Sequence, residues 1–191
     1  MNLASGVTDT PEQMRFDELG YSINPFDEVV PGLCQASSYL DPPDLFVEGF
    51  DAIFDLGGWP RGDSVPGLPY VFHQIDDVPW IDDPSAIDAM GEQVASRVRV
   101  GERVVVNCAA GLNRSGLLVG RALIALGYAP VEAIELVRQA RGIHALSNHR
   151  FAAWLLLECP PRGLRARTLA YRPNLLIRAP RSKNHLGPPP A

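Results

Sequence analysis

A chain of 191 residues, 46% hydrophobic and 20% charged, is long enough to bury one core of its own. No apolar run is long enough to span a membrane, and the first residues lack the basic-then-apolar build of a secretion signal. The formal charge of −5 is uneven: residues 1–158 hold all 22 acidic residues, whereas 159–191 hold seven basic residues and no acid.

An acidic body of this kind disfavours broad nucleic-acid binding. The three cysteines show no metal-ligand spacing and make no disulfide framework, which points to a reducing cytoplasm. His73, His144, His149 and His185 show no pairing at metal-ligand spacing either, so neither a metal nor a cofactor is expected. A single lysine among the 17 basic residues, with abundant Ala, Gly and Pro, fits a GC-rich bacterial genome.

In chain order, residues 1–24 read as an irregular N-terminal extension. Strands are predicted at about 29–36, 52–56, 70–75 and 103–107, and helices at about 85–99, 115–126, 130–140 and 148–158. Trp59-Pro60-Arg61-Gly62 reads as a turn after a core strand, with Arg61 a surface residue within reach of a pocket rim. Asp82 and Asp83 stand where they can cap the helix that begins near Pro84. Gly127 falls at a helix C-cap and Pro130 at a helix start. Residues 25–158 form the expected domain. The Pro- and Arg-rich tail, 159–191, reads as a flexible extension and as a candidate arm for acidic partners.

The chemistry lies in Val104-Val105-Val106-Asn107-Cys108-Ala109-Ala110-Gly111-Leu112-Asn113-Arg114-Ser115-Gly116, a β-branched strand running into a cysteine, a short loop and an apolar helix. A loop curled over a helix N-terminus turns its backbone N–H groups inward and forms an anion nest. Such a nest stabilises a thiolate as it stabilises a phosphate, and so makes Cys108 a nucleophile without a separate base. The planar fork of Arg114 matches two phosphoryl oxygens, and Gly111 allows the tight turn. Ala109, Ala110, Gly111, Leu112, Asn113 and Arg114 are the candidate phosphate-binding residues.

This loop resembles that of the cysteine-dependent protein-tyrosine phosphatase superfamily, in its compact dual-specificity-like branch. Pro31-Gly32-Leu33-Cys34-Gln35-Ala36-Ser37 is similar to that branch's first strand and turn, and Ile53-Phe54-Asp55-Leu56 to its next core strand. The stretch from Arg141 to Asn148-His149-Arg150-Phe151 resembles its closing segment. The resemblance implies an α/β fold with a central, mostly parallel sheet flanked by helices. It also implies metal-independent hydrolysis through a cysteinyl-phosphate intermediate.

A family of this kind needs a general acid, supplied by an aspartate on a loop about thirty residues before the cysteine. Tyr70 to Trp80 fits that place; matching Ile75 and Pro79 to the family pattern selects Asp77, with Asp76 as runner-up. Ser115 matches the family hydroxyl that hydrogen-bonds the departing thiolate, and a helix N-cap role is equally natural. Asn107 departs from the family's usual histidine. Its amide can still donate to loop carbonyls but cannot become cationic, which predicts reduced turnover near about pH 6.

The neutral loop residues disfavour a polyanionic inositol phosphate. The expected substrates are phosphomonoesters, namely protein phosphotyrosine with phosphoserine and phosphothreonine beside it, or a small phosphoester. Gly111-Leu112-Asn113-Arg114-Ser115-Gly116 also resembles the loop of RNA 5′-triphosphatases, which typically carry threonine at the Ser115 position. That enzyme and a phosphate-binding pseudophosphatase, the latter motivated by Asn107, are the alternatives.

Overall fold

The computed structural model describes residues 20–22, 24–38, 41–57, 60, 66–157 and 159. Strand β1 (Phe26–Val30) folds back on β2 (Leu33–Ser37) as an antiparallel hairpin. The single strand expected over 29–36 is therefore two. Pro31 has no N–H for a ladder and Gly32 sits at φ +85°, so this dipeptide turns the chain.

After β2 come helix α1 (Pro42–Val47), β3 (Ala52–Asp55), β4 (Tyr70–Phe72), helix α2 (Pro84–Arg99) and β5 (Val104–Cys108). Helices α3 (Arg114–Leu126), α4 (Pro130–Arg141) and α5 (His149–Leu157) complete the order. Helix α1 was not expected from the sequence, because six residues are too few to show a helical period. Its Leu45 packs with Phe50 under Cys34, Ile53 and Val105.

The five strands form one sheet in the order β1-β2-β5-β3-β4, parallel at every pair except β1–β2. Every residue of β5 is buried, as the Val104-Val105-Val106 run requires of a central strand covered on both faces. In register, Ser37 pairs with Cys108, and Asp55 with Asn107. The central strands therefore end together, at the carboxyl edge where open α/β sheets place their ligands.

Helix α3 is buried from Ser115 to Ile124 and forms the centre of the helical layer. Gly91 of α2 lets it approach closely, since a Cβ there would lie 2.6 Å from Cγ of Arg121. Arg121 is buried and bridges Asp88 and Glu92. Burial works against its charge, but the two carboxylates outweigh it and raise its pKa. Of the two acids expected to cap α2, Asp83 does so, accepting from the Ala86 N–H at 2.9 Å. Asp82 instead accepts the Trp80 indole N–H at 2.9 Å. Gly127 ends α3 at φ 107° and Pro130 opens α4, as expected.

The last described residues of the N-terminal extension are tied down, with the Ser22 N–H donating to the Arg141 carbonyl at 3.0 Å. The rest of that extension, Arg61 and the basic tail beyond Cys159 lie outside the described residues. No helix among the described residues is long and apolar enough to cross a membrane.

Candidate active site

Strand β5 delivers Cys108, 2% exposed, to the carboxyl edge of the sheet. The next five residues turn over it, and α3 begins at Arg114. Gly111 makes the turn at φ +69°. A Cβ there would stand 2.6 Å from the Ser37 nitrogen and 2.7 Å from the Ala36 carbonyl oxygen, so both conformation and space require glycine. The backbone N–H groups of Ala109, Ala110, Gly111, Leu112 and Asn113 donate to no acceptor among the described residues. A run of uncommitted donors ahead of a buried helix is a cradle for an anion.

Ser115 is fully buried in the first turn of α3, with its Oγ 3.3 Å from Cys108 Sγ. The N-cap position belongs to Asn113, so the capping role considered for Ser115 is not the one adopted. Arg114 Nη1 donates to the carbonyls of Leu56 at 3.3 Å and Ile75 at 3.4 Å, which moors the guanidinium between β3 and the loop after β4. Its other nitrogens make no hydrogen bond among the described residues.

Asp77 and the phosphate-type loop are brought together. The Asp77 carboxylate accepts the Asn113 amide at 2.8 Å on Oδ2 and the Asn148 amide at 2.8 Å on Oδ1. Asn148 Nδ2 also donates to the Val78 carbonyl at 3.0 Å, while Asn113 Oδ1 accepts from the Asn148 N–H at 3.0 Å and the Ser147 hydroxyl at 3.2 Å. Asp76 is exposed and has no hydrogen-bond partner among the described residues. An open groove of about 360 Å³ lies over this network, lined by Asp77, Val78, Pro79, Asn113, Asn148 and His149 among others.

Three supports of the loop fall in segments that the sequence marks as family-like without showing what these residues do. Gln35 reaches from β2 to the Gly111 carbonyl at 3.0 Å, the Leu112 carbonyl at 3.3 Å and Ser115 Oγ at 3.2 Å. Arg141, 1% exposed, donates through Nε to the Gly111 carbonyl at 3.1 Å and pairs with Asp27 at 2.5 Å. Asn148 is the third. The one available signal was polarity out of place: a glutamine in the middle of Leu-Cys-Gln-Ala-Ser, all of it buried.

Asn107 behaves differently from expectation. Its side chain is fully buried, and neither Nδ2 nor Oδ1 has a hydrogen-bond partner among the described residues. Successive strand side chains point to opposite faces, so Asn107 sits beside Ala36 and Asp55 in register and away from the face of Cys108. It makes no hydrogen bond to the loop carbonyls. Among the described residues no cluster of His, Cys, Asp or Glu could hold a metal ion.

No protein-family model matches the sequence, and no curated protein does. Solved structures do match. Human DUSP28 aligns at 22% identity over 69% of this chain and 90% of its own, with a TM-score of 0.61. A mouse putative dual specificity phosphatase, solved as a zinc tungstate complex, aligns at 22% identity over 80% and 90%, with a TM-score of 0.61. The human tyrosine phosphatase-like serine/threonine/tyrosine-interacting protein aligns at 20% identity over 68% and 92%, with a TM-score of 0.58. The five-stranded sheet and its flanking helices thus match the fold of these dual-specificity phosphatase structures.

Proposed function

We propose that this chain is a metal-independent phosphatase that hydrolyses phosphomonoesters, protein phosphotyrosine first and phosphoserine or phosphothreonine beside it, through a cysteinyl-phosphate. The observation that carries the reading is the approach of Cys108 Sγ to the Ser115 hydroxyl at 3.3 Å, across a loop whose N–H groups donate to no acceptor among the described residues.

In the first step the Cys108 thiolate attacks phosphorus, an S–P bond forms and the ester P–O bond breaks. Arg114 and the N–H groups of Ala109 to Asn113 hold the equatorial oxygens as charge spreads over them. Asp77 gives its proton to the leaving oxygen. In the second step water attacks phosphorus and gives a proton to Asp77, while the S–P electron pair returns to sulfur. The Ser115 hydroxyl donates to that departing thiolate.

The groove beside the loop supports an ester with one phosphate. Among the described residues that line it, His149 is the only basic one, and Arg114 lies in the adjoining loop to meet phosphoryl oxygens. The dual-specificity phosphatases among the structural neighbours support the same substrate class. A reducing compartment, which keeps Cys108 a thiol, fits this chemistry.

The test is hydrolysis of an aryl phosphate in the presence of a chelator and a reductant. Turnover should vanish with Cys108→Ser and fall by about 10²–10⁴-fold with Asp77→Asn for a poor leaving group. Turnover that survives Cys108→Ser, or vanadate binding with no turnover at all, would count against it.

A further inference from the structure

Gln35 is a residue that packing alone does not explain. It is fully buried within β2, and its Oε1 accepts nothing among the described residues, so an apolar side chain would fill the same space without an orphaned acceptor. Its Nε2, in contrast, meets three acceptors: the carbonyls of Gly111 and Leu112 and the Ser115 hydroxyl. Carbonyls only accept, which fixes the nitrogen and not the oxygen of the amide on this side.

The consequence falls on the Ser115 proton. The amide has two hydrogens; the carbonyl pair takes one and Ser115 Oγ accepts the other. Ser115 is sealed from solvent, and its side chain has one further partner among the described residues, Cys108 Sγ at 3.3 Å. A hydroxyl that accepts from Gln35 has its own proton left to give, and a thiolate can only accept it.

We propose that Gln35 is a positioning residue for breakdown of the cysteinyl-phosphate, aiming the Ser115 O–H at the sulfur as it leaves. This rests on the phosphatase reading above. In that step the water oxygen bonds to phosphorus, the S–P pair moves to sulfur, the water proton goes to Asp77, and the Ser115 hydrogen bond shortens onto the new thiolate. Formation of the intermediate needs no such aid from Ser115, because charge leaves the sulfur in that direction.

The experiment is rapid-mixing kinetics with an aryl phosphate whose phenol is a good leaving group. Gln35→Met keeps an unbranched side chain of similar size and removes both donors. It should release the first equivalent of phenol within about twofold of the unmodified rate and then turn over about tenfold more slowly, giving a burst. Ser115→Ala should show the same burst, and the double variant should be no slower than Ser115→Ala alone. Equal slowing of both phases, or multiplicative losses in the double variant, would show that Gln35 merely shapes the loop. Gln35→Leu serves if the Met variant does not fold, and failure of both to fold would overturn the proposal in favour of a structural role. Absence of Cys108-dependent phenol release from the unmodified protein overturns the phosphatase reading itself, a result separate from any effect at Gln35.

Discussion

The side-chain amide of Asn113 donates to the Asp77 carboxylate at 2.8 Å, which ties the loop after β4 to the loop that turns over Cys108. Asn148 holds the other carboxylate oxygen at the same distance. Two amides on one carboxylate fix its plane as well as its position. If Asp77 is the general acid, Asn113→Ala should lower kcat by about tenfold on a phosphate ester of an alkyl or weakly acidic alcohol. Esters of strongly acidic phenols need little protonation and should be nearly unaffected. A series of leaving groups reads this directly, as a steeper dependence of rate on leaving-group basicity. An unchanged slope would remove the proposed link between Asn113 and the acid.

The two strand cysteines should differ in reactivity. Burial pushes the Cys34 thiol up to about 12, with the Arg103 guanidinium pulling the other way. At neutral pH it is therefore almost wholly protonated and inert as a nucleophile. Iodoacetate, itself an anion, should alkylate Cys108 and spare Cys34, with phosphate or vanadate protecting. Peptide mapping checks this. Alkylation of Cys34 at a comparable rate would contradict it.

Gly111→Ala should disable the loop. The residue sits at φ +69° and a Cβ would press on the β2 backbone at 2.6 Å. The backbone there is held in the sheet and cannot yield as a flexible side chain does. We expect a loss of about 10²-fold or more in kcat/KM, because misplacement of the cradle by about an ångström has that cost. A melting curve alongside the kinetics separates local damage from unfolding. Near-normal kcat/KM in this variant would mean that the loop does not hold the phosphoryl group.

Asn107 offers a test with the opposite sign. Its two polar side-chain atoms are buried without hydrogen-bond partners among the described residues, on the sheet face away from Cys108. Asn107→Val should therefore raise stability by about 1–3 kcal/mol, measured by urea denaturation, by removing desolvated polar atoms from a strand that favours β-branched residues. Loss of stability would show that the amide has a partner of its own.

The parts of the fold that were legible in the sequence are those set by neighbours along the chain. The strand, loop and helix around Cys108, the turn at Gly127 and the cap at Asp83 all follow from local residue order. The hairpin at Pro31-Gly32 was also written there, but the apolar run on either side masked the break. The supports of the loop were not legible. Gln35 meets Gly111 across 76 positions and Asn148 meets Asp77 across 71, contacts that depend on sheet order and on how α5 docks. Asn107 illustrates the same limit from the other side: a residue beside Cys108 in sequence points away from it in space, because strand side chains alternate.

The most direct measurement is a rapid acid quench of the Ser115→Ala variant during turnover of an aryl phosphate, followed by mass spectrometry of the peptide that contains Cys108. One phosphoryl group is expected on Cys108, present in the first turnover and absent when Cys108→Ser is introduced as well. Turnover with no phosphoryl group on Cys108, in a protein that still hydrolyses the ester after Cys108→Ser, would contradict it.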